Sequence, residues 1–378
     1  MNLLKKRFQM GDSMLGVSVF LGEDLAKETT DYLRSMKNSG FKGVFSSLHI
    51  PEDDSTKYLE RLTTLGSWSK NLGMEFMVDI SGSALNKIGL SFEDPAAIIS
   101  TGITGLRMDY GISNQVIADL SHSMKISLNA STITDTDVAE LRIAKADFQN
   151  LEAWHNYYPR PETGLAKTVL IAKNRWLKQL GFRVMAFVPG NASLRGPLFE
   201  SLPTLEKHRH MHPLAATIEL LEDCLVDDVY IGDPEIDYKT QRQFEAYFNE
   251  DRLVLFATPE KQSAYTQIVL GNHQNRWDPA RDVVRSAAAR FKQIGIIQPE
   301  GEKPRPKGSV TLDNQLYGRY AGEIQITLHH LPADKKVNVV AQIIPEDIPL
   351  LDWFAAGQQF EIQLNRGLKR GVYENGFR

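Results

Sequence analysis

The chain has 378 residues, 42% of them hydrophobic and 24% charged, which is a globular composition and too long for one ordinary core. Its net charge of −4 and isoelectric point near 6.2, with no basic run beyond KK and KR doublets, make neither nucleic acid nor an anionic membrane an expected partner. The single cysteine, Cys224, excludes a disulfide within the chain and reads as core filler in the apolar run PLAATIELLEDCLV.

The N-terminal stretch MNLLKKRFQMGDSM carries basic residues but no apolar run of signal-peptide length. No segment approaches the ~20 apolar residues of a membrane span. The expected location is therefore the cytoplasm.

From Leu15 a short apolar strand, a polar loop and an amphipathic helix alternate. The strands are LGVSVF from Leu15, KGVFSS from Lys42, MEFMVD from Met74, GLRMD from Gly105, KISLN from Lys125, DFQNLE from Asp147, RVMAFV from Arg183 and DDVYIG from Asp227. Helical runs between them include LAKETTDYLRSMKNSG, STKYLERLTTLGSWSKNLG and TGLAKTVLIAKNRWLKQLG, the last opening near Thr163. They close on Gly40, Gly73 and Gly181, the residue type that ends helices in the left-handed conformation. Eight such repeats over roughly 235 residues predict a (β/α)8 barrel over residues 15–248. A doubly wound open sheet is the rival, but FLGEDLA has one glycine where a dinucleotide fingerprint needs three.

After Phe248 the pattern turns β-rich. NEDRLVLFAT, AYTQIVLGN, SVTLDN, GEIQITLHH, KVNVVAQII and QQFEIQL read as strands, with helix-like pieces only at DPARDVVRSAAARF and DIPLLDWFAAG. Residues 249–366 are thus expected to form a second, smaller β-rich barrel domain.

In a (β/α)8 barrel the chemistry sits at the C-terminal strand ends. The predicted ends bring Glu23, Ser47, His49, Glu52, Asp79, Ser81, Arg107, Asp109, Tyr110, Asn129, Ser131 and Asp233. The sixth strand leads into NLEAWHNYYPRPETGL, which packs Glu152, Trp154, His155, Asn156, Tyr157, Tyr158 and Arg160 into one strand-to-helix junction. The blander reading of that stretch, a solvated loop before a helix cap, does not explain two tyrosines and a tryptophan. Asp79, Asp109, Glu152 and Asp233 each close an apolar strand, where an ionised group is costly unless paired or used. Helix capping explains Asp233 well and Asp79 in part, and a same-face ion pair with Arg107 is the structural account of Asp109.

Carboxylates around one barrel mouth suit glycosidic cleavage, one donating a proton to the leaving oxygen and the other supporting the cationic centre or activating water. The aromatic residues offer flat surfaces for sugar rings. No strand end carries a convincing lysine, which counts against a Schiff-base aldolase. The loop PGNASLRGP, with Arg195 and Gly196, is an anion-binding candidate. HRHMH (His208 to His212) has the wrong spacing for ligands ahead of a helix that Pro213 starts, so no metal or other cofactor is expected. In the second domain Arg276 and Arg319 stand in turns beside aromatics, among Arg281, Arg285 and Arg290.

LEAWHNYYPRPETGL, the RMDYG strand end, FVPGN…RGPLFESLPTLEKHR and NQLYGRYAGEIQI together resemble the 6-phospho-N-acetylmuramidase family, over about Leu15 to Asn365. The resemblance implies a TIM barrel followed by a cyclophilin-like β domain. It also implies cytoplasmic hydrolysis of N-acetylmuramic acid 6-phosphate–N-acetylglucosamine in peptidoglycan recycling. The small-molecule phosphorylated disaccharide is then the partner, and the oligomeric state stays open.

Acid and base remain unassigned by the resemblance. The favoured catalytic pair is Asp109 and Glu152 with Asp79 in reserve; His155, Asn156, Tyr157, Tyr158, Arg160, Asn129 and Asp233 are substrate-binding candidates, and Arg195, Gly196 and Arg319 phosphate-binding ones. The substrate's own acetamido group is an alternative nucleophile. Two other readings stay open: a phosphosugar isomerase or lyase on the same barrel, and a phospho-glycan sensor without turnover.

Overall fold

The computed structural model describes residues 13–22, 24–48, 57–82, 84–261, 263–289 and 295–365. Glu23, His49, Glu52 and Arg290 lie outside them. The chain divides into two compact units, Met1–Asn249 and Glu250–Arg378.

The first unit is a closed barrel of eight parallel strands in sequence order: β1 (Leu15–Ser18), β2 (Gly43–Ser47), β3 (Glu75–Ile80), β4 (Gly105–Met108), β5 (Lys125–Asn129), β6 (Leu151–Trp154), β7 (Arg183–Val188) and β8 (Asp228–Ile231). β8 returns to β1 with Gly16 opposite Tyr230. Helices α1 (Lys27–Asn38), α2 (Tyr58–Asn71), α3 (Ala84–Lys87), α4 (Pro95–Ser100), α5 (Asn114–Ser121), α6 (Asp135–Ile143), α7 (Lys167–Gln179), α8 (Pro213–Asp223) and α9 (Tyr238–Glu250) fill the connections. Gly40, Gly73 and Gly181 take φ of 98°, 62° and 92°, the left-handed stops expected of them.

The strand period of two sends alternate residues inward, and they form three layers. At the N-terminal end, Lys125 Nζ donates to Glu75 (2.7 and 2.8 Å), and the Arg183 guanidinium grips Asp228 (2.6 and 3.0 Å). The middle layer is apolar: Phe45, Met77, Trp154, Met185, Phe187 and Tyr230 are all buried and packed together. Trp154 lies 4.8 Å from the Tyr230 ring and 5.8 Å from Phe45, centroid to centroid. A side chain at Gly16 or Gly43 would collide with the Tyr230 ring, so these glycines make room for that ring in the layer. The third layer is polar and faces the C-terminal mouth.

The second unit is a seven-stranded sheet with order β10–β15–β9–β14–β12–β13–β11. Its strands are β9 (Arg252–Pro259), β10 (Gly271–Gln274), β11 (Val283–Arg285), β12 (Ser309–Asp313), β13 (Ile324–Thr327), β14 (Val337–Ile343) and β15 (Gln359–Leu364). All neighbours run antiparallel except β15 and β9. An isolated bridge between Asn275 and Ser286, just past β10 and β11, brings the two outer strands together, and the sheet rolls into a nearly closed barrel.

Several expected elements differ. DFQNLE is not one strand: Phe148–Asn150 is a 3-10 turn capped by Asp147, which accepts from Gln149 N at 3.0 Å, and β6 starts only at Leu151. α7 begins at Lys167, not near Thr163, because Glu206 accepts from the backbone of Glu162 and Gly164 (2.9 and 2.8 Å) and holds that stretch as a loop. AYTQIVLGN splits into a short helix α10 (Thr266–Val269) and β10, the break falling at Gly271 with φ 88°. DPARDVVRSAAARF reads as a helix by propensity, yet Val283–Arg285 pairs with β13 and buries Val284: strand pairing overrides the alanine run. DIPLLDWFAAG forms a 3-10 helix, Pro345–Trp353, with Pro349 inside it.

Candidate active site

The mouth of the barrel is organised around Arg107 at the inner face of β4. Its Nη1 donates to Asp79 Oδ1 at 2.6 Å and lies 3.8 Å from Asp109 Oδ1; its Nη2 donates to Asn156 Oδ1. The guanidinium is buried, with 5% of its side chain exposed, and a buried cation is tolerable here because the Asp79 carboxylate and an amide oxygen accept from it. Asp79, at the end of β3, also accepts from Ser47 Oγ at 3.3 Å. Asp109 follows β4 directly and is more open, with 26% of its side chain exposed; Asn129 Nδ2 donates to its Oδ1 at 2.8 Å. Asn129 is itself fixed, because its Oδ1 accepts from Ser131 N at 3.0 Å. Strands β2 to β6 thus converge on two carboxylates, one arginine and two amides.

A second cluster rises from the loop after β7. Arg195 Nη1 donates to Tyr157 Oη at 2.8 Å, and its guanidinium lies 3.9 Å from the Phe20 ring centroid. Tyr157 packs edge-on to Phe187 (5.1 Å) and Phe45 (6.4 Å), so the arginine is tied into the aromatic layer below. Asp233 anchors the loop: fully buried, it accepts from the backbone N–H of Gly190, Leu202 and Arg195 at 2.9, 3.0 and 3.2 Å. Burial pushes its carboxyl pKa upward against the pull of those three donors. Arg209 clamps the far side of the loop, donating to Glu206 and to the carbonyls of Glu200, Ser201 and Arg160.

Of the sequence candidates, Asp79, Asp109, Asn129 and Asn156 come together around Arg107, and Tyr157 meets Arg195. Glu152 does not join them. It is the second residue of β6, below the aromatic layer, where it accepts from Trp154 Nε1 at 2.8 Å and lies 3.8 Å from Lys125 Nζ. Burial there raises its pKa.

His155 points the other way, outward to α7, with Nε2 2.6 Å from Asn174 Oδ1, and burial drops its pKa to about 4. Asp233 holds a loop rather than facing the mouth or capping α9. Tyr158 donates its backbone N–H to Pro203 O at 3.0 Å; Arg160 and Gly196 are exposed, and the Arg160 carbonyl accepts from Arg209. Arg319 belongs to the second unit, where it donates to Tyr320 Oη at 2.6 Å; Arg276 there pairs with Asp278.

Two histidines of HRHMH are structural: His208 Nε2 meets Glu219 at 2.9 Å, and His212 Nδ1 accepts from Leu214 N at 3.1 Å to cap α8, while His210 is exposed. Cys224 is buried, its thiol pushed up to about 12 by desolvation. Phe20 and Arg209 carry no sequence signal beyond an apolar residue after β1 and a charge inside a histidine run. No described helix is long and apolar enough to cross a membrane.

Two family models match, one described as 6-phospho-N-acetylmuramidase, N-terminal, over residues 15–246, the other as its C-terminal counterpart over residues 253–363. Among solved structures, the chain is similar to a conserved protein of unknown function from Enterococcus faecalis, at 50% identity and a TM-score of 0.87, covering 94% of this chain and 97% of that one. It is also similar to an uncharacterized B. cereus protein at 24% identity and a TM-score of 0.69, covering 93% and 99%, a likeness of fold. No curated protein matches. The chain belongs to the 6-phospho-N-acetylmuramidase family.

Proposed function

We propose that this member of the 6-phospho-N-acetylmuramidase family is a glycosidase that hydrolyses N-acetylmuramic acid 6-phosphate–N-acetylglucosamine, in the cytoplasm and in the service of peptidoglycan recycling. The observation that carries the reading is the pair Asp79 and Asp109 on one buried arginine at the barrel mouth. Asp79, paired with Arg107 and Ser47, is the carboxylate suited to meet positive charge developing at the sugar's anomeric carbon, or to orient its acetamido group. Asp109, the more open of the two, gives its proton to the glycosidic oxygen as the C–O bond breaks and recovers one from the water that adds to the anomeric carbon. Glu152, buried beneath the aromatic layer, is not part of this reading.

Arg195 is the phosphate contact in this proposal. It sits on a loop held by two buried ions, Asp233 and Arg209, and keeps donors beyond the one that Tyr157 uses. We place Tyr157, Tyr158 and Tyr110 as ring-stacking surfaces, and the second unit as a cyclophilin-like domain.

The test gives the purified full chain the 6-phosphorylated muramyl disaccharide and its unphosphorylated twin and follows released N-acetylglucosamine. Release from the phosphorylated form alone supports both the bond cleaved and the reading of phosphate. Release from neither removes the hydrolase reading and turns attention to isomerisation or to binding without turnover.

A further inference from the structure

Arg107 does more than pair a carboxylate. A guanidinium only donates, so the atom that the Asn156 amide turns toward Arg107 Nη2 has to be its oxygen. The orientation of that amide is therefore set by chemistry, and its NH2 faces away from the arginine. Among the described residues this nitrogen donates to none, whereas the other amide of the mouth, Asn129, uses both of its ends. Asn156 is only half-buried, so its two N–H groups stand at the mouth one guanidinium away from Asp79.

We propose that Asn156 is the residue through which this site selects an N-acylated amino sugar over the free amine, with Arg107 as the positioning residue that sets it in that sense. The inference rests on the reading that the mouth holds an amino-sugar phosphate with its anomeric carbon beside Asp79. The nitrogen substituent on the neighbouring carbon then falls beside Asn156. An acyl amide brings a carbonyl oxygen, the acceptor that two N–H donors require. A free amine is protonated at neutral pH and brings only donors, so donor meets donor and the Asn156 amide is left unpaired.

Calorimetric titration of the full chain with N-acetylmuramic acid 6-phosphate and with muramic acid 6-phosphate tests this without depending on turnover. The wild type is expected to favour the acylated sugar by about tenfold, the worth of one hydrogen bond that one sugar makes and the other cannot. Asn156→Asp keeps the shape and the Arg107 contact but offers an acceptor, and should narrow that ratio at least tenfold or reverse it. Asn156→Ala should erase the preference without reversing it, and Arg107→Lys, which cannot hold both partners, should weaken it. Thermal melting of each variant shows that it folds.

Equal or absent binding of the two sugars by the wild type overturns the proposal. So does a preference that survives both Asn156 substitutions in folded protein. A preference that responds to Asn156 in a protein that does not cleave the disaccharide supports this inference while removing the hydrolase reading.

Discussion

Asp79 and Glu152 are both inward-facing carboxylates, and what separates them is depth. Alternation along a strand tells which side of the sheet a residue faces but not how far along the barrel axis it lies, since bottom and top layers share the same parity. Glu152 was legible as inward and buried. Its height was not, because the strand starts at Leu151 and not at Asp147, and that offset moves a residue from the mouth to the floor.

The Arg107–Asp79 bond was equally hidden, joining residues 28 apart in the chain, while the nearer partner Asp109 suggested itself by spacing. The expected behaviours diverge accordingly. Asp79→Asn and Asp109→Asn should each cut turnover of the phosphorylated disaccharide on the order of 10²–10⁴-fold with the fold retained by circular dichroism. Glu152→Gln should leave turnover within a few-fold and register instead in thermal melting; a loss as deep as that of Asp79→Asn would place the chemistry elsewhere.

At the scale of elements, the loop after β7 shows how a flexible-looking sequence is made rigid. PGNASLRGP contains the residues of a plain turn, and its anion-binding character was readable from glycine and arginine. What could not be read was Asp233, 31 to 43 residues further on, whose carboxylate takes three N–H groups of this connection.

Asp233→Asn keeps the volume but replaces one acceptor oxygen with a donor facing backbone N–H groups, and should cost about 1–3 kcal/mol of stability. If Arg195 reads phosphate from this loop, discrimination between phosphorylated and unphosphorylated disaccharide should fall with it. Arg195→Ala should lower kcat/KM for the phosphorylated form by about ten- to a hundredfold, the worth of one charge-assisted contact, and barely affect the unphosphorylated form. Equal losses on both would make the arginine structural.

At the scale of the whole molecule, one buried carboxyl in the second unit gives the chain a pH-dependent stability. In the second, Asp313 is buried beside Glu323, and desolvation first, with that neighbour's charge, raises its pKa from 3.8 to about 7. A carboxyl raised in the folded state contributes stability that is fully present below about pH 4 and is lost as pH climbs through about 7. Asp313→Asn should therefore raise the melting temperature of the full chain at pH 8 and change it little at pH 4; a variant less stable at pH 8 would show that the charged form is the favoured one.

The alternation of strand and helix made the barrel legible end to end. The β-rich unit was legible in class but not in detail, since AYTQIVLGN and DPARDVVRSAAARF took their structures from partners distant in the chain.

The near-closure of that second sheet bears on how the protein keeps to itself. An open seven-stranded sheet has two outer strands whose free backbone groups invite a foreign strand to add on. Here β10 and β11 occupy those positions and are stitched to each other by Ala287 N to Gln274 O at 2.8 Å and Arg276 N to Arg285 O at 3.2 Å. The stitch is short, so it is the seam along which slow amide exchange should first give way, and its opening would bare both edges at once.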